Sequence, residues 1–248
     1  GGLYNNGGTY QLNLWRHSVG QTAYVNWTPV LGTWYHVAYT RSSGTSYLFI
    51  NGVSQSVTNS GSLSGVSFGQ LGVSVGSCAA NVSGWKLTGY ISNVRYVVGT
   101  ALYTSTFTPS TTPLTAVSGT QFLSCQSNRF KDNGPGNTIT PTNSAMVSPF
   151  SPFTPTASYV AATNGGSYNF NGTSDYARIT TAQSMLGFST GDFTIEWFMK
   201  KGVGGAGAPR VFSLGFDTGA TIGCSVEASN QCYIWPYGAD LVGTLPAG

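Results

Sequence analysis

The chain reads as an all-β protein, an antiparallel β-sandwich of jelly-roll type, and three features of its sequence say so. Apolar residues recur at every second position in several short stretches, as half-buried strands require. No stretch of about ten residues or more carries helical spacing; at most the SMLG run around Met185 makes one turn. Gly, Ser, Thr and Asn fill 110 of the 248 positions while only 7% of residues are charged. Water must therefore be met by hydroxyl, amide and backbone groups, a surface that suits turns and strands better than helices.

The elements are taken in chain order. WYHVAYT (34–40) alternates with period two, RSSGTS (41–46) supplies turn residues, and YLFI (47–50) is a second apolar strand. Asn51-Gly52 then reverses the chain into VSQSV (53–57), because both central residues of a type I′ turn need positive φ. VSFGQLGVSV (66–75) and GYISNVRYVV (89–98) add strands between glycine-rich turns. Residues 104–115 (TSTFTPSTTPLT) carry two prolines among many hydroxyls and read as a linker, with the unit boundary placed at 113–116. Beyond it, GTQFLSC (119–125), SYNFNGTSDYARI (167–179), GDFTIEWFMKK (191–201) and RVFSLGF (210–216) alternate again.

Composition excludes several classes. Fourteen Tyr, 13 Phe and 6 Trp give far more buriable area than a disordered chain carries. Glycine has no period of three, which excludes collagen. No apolar run approaches the roughly 18 residues of a membrane helix, no signal peptide is seen, and a start at Gly1 suggests a processed or excerpted chain. The net charge of +3 is uneven: residues 1–131 hold six cations and no acid, the remainder four cations and seven acids. Cations scattered singly do not form the stripe that nucleic acid requires. A head-to-tail attraction between copies is compatible with the asymmetry.

Cys78, Cys125, Cys224 and Cys232 include no CxxC pair, so zinc and dithiol redox roles are not indicated. Cys224 and Cys232 could bridge a hairpin in a secreted protein; otherwise the cysteines serve as small buried hydrophobes. Nucleophilic catalysis has little to work with. The histidines are His17 and His36 alone, His36 lies inside an alternating strand, and no GxSxG elbow occurs. GVGGAGAP (202–209) lacks the lysine and the strand-loop-helix setting of a phosphate loop and reads as a hairpin loop.

The run GTWYHVAYTRSSGTSYLFINGV, followed by GYISNVRYVVGTALYTSTF, resembles the C-terminal half of a laminin G-like domain of the concanavalin A-like lectin/glucanase superfamily. SYNFNGTSDYARI with STGDFTIEWFMKK resembles the N-terminal half of the same kind of domain. The two blocks stand in the opposite order from the family's. A tandem array cut out of phase accounts for this: 1–112 would end one unit, 113–116 link, and 117–248 begin the next, with Gly248 falling where Gly32 falls and a period of 216 residues. A circular permutant closing one sandwich from both halves is the competing account. A lone half would expose an apolar sheet face and open edges.

The resemblance implies further expectations. Glucanases of this fold set their acids close together on one strand; Asp192 and Glu196 are four apart, about 13 Å along a strand, and read as a turn residue and a surface group. The enzyme reading is therefore set aside. Laminin G-like domains often hold Ca²⁺ at the sandwich rim, which makes Asp175 the leading candidate ligand in this chain; otherwise Asp175 closes the turn before Tyr176. Sugar binding needs an exposed aromatic face beside hydrogen-bonding groups. Trp15, Arg16, His17, Trp27, Trp235 and Tyr237 are candidates because the 216-residue period makes their two stretches equivalent. Trp34 and Trp197 read as core. The expectation is a lectin-like module of a virion fibre or cell-surface adhesin, extracellular or on a virion. It would meet surface glycans, a glycoprotein receptor, or other copies and virion proteins. A purely structural appendage or decoration protein is the alternative.

Overall fold

The structure, a computed structural model, describes residues 2–6, 9–16, 20–59, 73–76, 87–153, 165–179, 191–201, 210–214, 222–226, 232–236 and 241–243. Among them no helix occurs and nineteen strands run in chain order. They are β1 (Gly2–Asn6), β2 (Thr9–Arg16), β3 (Gly20–Val25), β4 (Trp34–Ser42), β5 (Thr45–Ile50), β6 (Val53–Ser54), β7 (Thr58–Asn59), β8 (Val73–Val75), β9 (Thr88–Val98) and β10 (Thr120–Ser124). Then come β11 (Thr140–Thr142), β12 (Met146–Ser148), β13 (Ser167–Asn171), β14 (Tyr176–Ile179), β15 (Phe193–Lys201), β16 (Arg210–Leu214), β17 (Ile222–Val226), β18 (Cys232–Pro236) and β19 (Leu241–Gly243). They form an eleven-stranded sheet in the order β1-β2-β3-β7-β19-β18-β17-β16-β8-β14-β11, and an eight-stranded sheet β12-β13-β9-β15-β4-β5-β6 with β10 also on β9. Pairing is antiparallel except between β19 and β3. The SMLG run and 202–209 lie outside the described residues, as does most of 66–75.

The hairpin chemistry is as the sequence dictates. Ser43-Gly44 and Asn51-Gly52 both have positive φ at both central positions (49° and 80°; 48° and 77°), the geometry whose twist matches flanking strands. Gly52 is needed for a second reason: a Cβ there would overlap the Phe107 carbonyl oxygen.

The two sequence blocks close a single sheet. β15, from the second block, lies between β4 and β9 of the first, with Trp197 opposite Val37 on one side and Phe198 opposite Ser92 on the other. Residues 113–116 therefore do not divide the chain into separate sandwiches. The physical reason is that β15 is apolar and needs a hydrogen-bonded neighbour on each edge, and the first block supplies both. Between the sheets pack Val37, Tyr39, Ile91, Ile195 and Trp197 from one side and Val73, Val75, Ala177, Ile179 and Val211 from the other. Trp27, in the loop before β4, is fully buried in this core with its ring edge-on to Tyr35 at 5.0 Å.

Two irregularities set which residues reach the outer face and how the layers are joined. In β9, Glu196 stands opposite Arg95 but Phe198 opposite Ser92, so Asn93 and Val94 together face Trp197. Asn93 takes a left-handed φ of 53°. This bulge shifts the side-chain alternation by one: Ile91, Val94 and Tyr96 enter the core, and Arg95 turns to the outer face. The second irregularity is a paired corner. β11 and β14 belong to one sheet, β12 and β13 to the other, so the chain crosses between layers at 143–145 and again at 172–175. SYNFNGTSDYARI is thus a corner between sheets rather than a hairpin within one.

Candidate functional site: the outer face of the eight-stranded sheet

Residues 99–117, in which a linker was expected, lie as a strap over the outer face of β4, β15 and β9. Thr194 Oγ1 accepts from Leu102 N at 2.8 Å and donates to Thr100 O at 3.1 Å; Thr40 Oγ1 donates to Tyr103 O at 2.5 Å. Phe107 N donates to Gly52 O, Leu114 N to Asn93 Oδ1 at 2.8 Å, and an Arg95 guanidinium nitrogen to Thr115 O at 2.7 Å. Leu114 is buried with Leu123, Phe153 and Phe198 in a second apolar cluster. The strap docks through its backbone groups and through Tyr103, Phe107 and Leu114 while its Ser and Thr residues stay exposed, which local sequence reading cannot tell from a solvated linker.

Under the strap sits Glu196, which was expected at the surface and is fully buried. Arg95 Nε donates to its Oε1 at 2.6 Å and the guanidinium also pairs through Nη2. Tyr103 Oη and His36 Nε2 donate to Oε2 at 2.9 and 3.1 Å. The His36 ring is packed edge-on between Phe107 and Phe198. Burial by itself works to raise the Glu196 carboxyl, but the His36 hydrogen bond and the Arg95 charge outweigh it and hold it below the ordinary 4.5. Burial, and then the Glu196 charge, push the Tyr103 hydroxyl up, so it remains a donor. Asp192, immediately before β15, accepts from Ser43 N at 2.8 Å. Glu196 thus has both oxygens committed to strap and sheet, an arrangement that fastens the strap down.

Beside the strap opens a cleft of about 400 Å³ lined by Pro113, Leu114 and Thr115 on one side and Gln126, Ser127, Asn128, Arg129, Lys131 and Asn133 on the other. Asn93, the bulge residue, lies buried behind the lining and braces it: its Oδ1 accepts from Gln126 Nε2 at 2.7 Å, Gln126 Nε2 also reaches Leu114 O at 2.6 Å, and Asn133 Nδ2 donates to Gln126 Oε1 at 3.0 Å. Phe130 turns inward onto Tyr168, ring centroids 4.5 Å apart, leaving Arg129 and Lys131 exposed on either side of it. Asp132 is turned away and buried, accepting from Leu123 N, Gly134 N, Asn137 N and Asn137 Nδ2 at 2.6–2.9 Å. The cleft wall sets amide, hydroxyl and cationic groups beside the apolar Pro113 and Leu114.

A row of aromatic and polar residues crosses the same sheet. Register places Trp34 opposite Lys200, Lys200 opposite Tyr90, and Tyr90 opposite Asn169. Phe150 lies over them, 4.9 Å from Tyr90 and 5.4 Å from Trp34, with Lys200 Nζ 4.5 Å from its ring centre. Phe150 is 39% exposed.

The residues picked from the sequence fare differently. Trp27 is core and offers no face to a ligand. Trp15 and Arg16 lie on β2 and Trp235 on β18, strands of the eleven-stranded sheet; their side chains, and His17 and Tyr237 altogether, lie outside the described residues. Asp175 does not fit a calcium ion. It is buried, its Oδ1 accepts from Ser144 N at 2.8 Å and Ser174 Oγ, and its Oδ2 from Asn171 N at 3.1 Å. These bonds join the two layer crossings, and among the described residues no group of three His, Cys, Asp or Glu could hold a metal. Cys125 is a buried free thiol, and Cys224 and Cys232 are two residues out of register, facing Ile234 and Val226. The cleft residues Asn128, Arg129, Lys131 and Asn133 were not picked out. Their only local signal is an inward Phe between two cations in a Ser/Asn-rich segment.

The described residues form an all-β sandwich of two sheets, consistent with a concanavalin A-like fold. Residues 2–103 match the laminin G-like family model described as the concanavalin A-like lectin/glucanases superfamily. No curated protein and no solved structure matches the chain.

Proposed function

We propose that this chain is a non-enzymatic, lectin-like recognition module that engages surface glycans or a glycoprotein receptor, as part of a virion fibre or cell-surface adhesin. The observation that carries the reading is the cleft beside the strap. Asn128, Asn133 and Ser127 present amide and hydroxyl groups of the kind sugar hydroxyls take, on a fold whose superfamily includes lectins. The half-exposed aromatic row of Trp34, Tyr90 and Phe150 adds a surface for the apolar side of a pyranose. Against hydrolysis stands Glu196, whose oxygens are both bound beneath the strap, whereas glycoside cleavage needs two carboxyls about 5–10 Å apart flanking a reachable bond. Glycan-array binding by the parent protein, compared with Asn128→Ala and Phe150→Ala, tests the reading. Recognition at this face predicts saturable binding that at least one of the two variants weakens. An array with no bound glycan counts against it and favours the spacer alternative.

A further inference from the structure

We infer that the cleft selects saccharides carrying a carboxylate or sulfate group; this deepens, and rests on, the lectin-like reading. Arg129 and Lys131 flank Phe130, and because the half-buried Phe130 packs against the core through Tyr168, both cations lie on the solvent side and line the cleft. The acid next to them in sequence, Asp132, is unavailable to neutralise them, since its carboxylate is filled by backbone and amide N–H groups. The other described acids are also engaged: Glu196 by Arg95, Asp175 by the crossing turns, Asp192 by Ser43. Nor does the first block offer any carboxylate, because residues 1–131 contain no Asp or Glu. The cleft is thus a concave surface of mixed polar and apolar lining with two cations and no facing anion among the described residues. An exposed cation pair contributes little to stability, but an anionic ligand gains charge-assisted, and with Arg129 bidentate, hydrogen bonds. Neighbouring Asn128, Asn133 and Ser127 are placed to take hydroxyls of the same ring.

The test is an array of matched pairs, each sialylated, uronate or sulfated glycan beside its neutral parent. It is probed with the full chain, with the Arg129→Gln/Lys131→Gln double variant, and with the charge-keeping Arg129→Lys/Lys131→Arg pair. The parent is expected to favour the acidic members, with affinity falling as salt rises. The Gln pair should lose about tenfold or more per charge removed, while the charge-keeping pair retains the preference. Thermal melts of both variants should match the parent, since both side chains are exposed. Equal binding of acidic and neutral partners, or an undiminished acidic preference in the Gln pair, overturns the inference and leaves the lectin-like reading standing. Binding to no member overturns both.

Discussion

Arg95 donates through Nε to Glu196 at 2.6 Å across the β9–β15 seam, and the two face each other only because Asn93 adds one residue to β9. Were β9 regular through Asn93, Arg95 would share the inward face of Ile91, and Val94 and Tyr96 would turn outward. The bulge therefore decides which face carries the charge, and Asn93's side chain then ties that face to the strap and cleft through Leu114 and Gln126.

Breaking the pair from one side leaves a buried unpaired charge. Glu196→Ala or Arg95→Ala is expected to cost about 3–5 kcal/mol in urea denaturation, and the Arg95→Met/Glu196→Met double variant clearly less than the two losses summed. Additive losses would show that the contact is energetically idle.

The acid limb of stability should report the same carboxylate. Its folded-state pKa lies below its unfolded value of 4.5, so its contribution is fully present above that pH and disappears as pH falls through the folded value. Denaturation midpoints measured from neutral pH downward should fall less steeply for Glu196→Gln than for the parent; parallel curves would refute the assignment.

At position 93 two losses separate. Asn93→Gly keeps the left-handed backbone but removes the bonds to Leu114 N and Gln126, whereas Asn93→Ala removes them and adds left-handed strain of about 1–2 kcal/mol. The Ala variant should melt below the Gly variant, and both below the parent. Equal melting of Ala and Gly would mean that φ at this residue does not matter.

Asp175→Ala should destabilise by about 1–3 kcal/mol through orphaned N–H groups at the layer crossings. A chelator should leave the melting temperature of the parent unchanged. A chelator-sensitive melt would instead place a metal on this carboxylate.

Much of the architecture was legible in the residues alone. Period-two runs located β4, β5, β9, β10, β13, β15 and β16, and Asn51-Gly52 fixed its turn, because alternation and positive φ are local properties of the chain. The cleft was not legible. Arg129 and Lys131 gain meaning only once Phe130 is anchored by Tyr168 and Asp132 is filled by turn N–H groups, contacts that no spacing rule contains.

What the amino-acid order determined alone was a low-charge, hydroxyl-covered, all-β chain with its strands and tight turns in place. Tertiary structure decided the rest: that β15 completes the sheet begun by β4 and β9, that residues 99–117 are a strap and not a linker, and that Glu196 is buried. The physical reason is that strand partners, bulge parity and burial of a charge depend on residues far apart in sequence, whereas side-chain alternation depends on immediate neighbours.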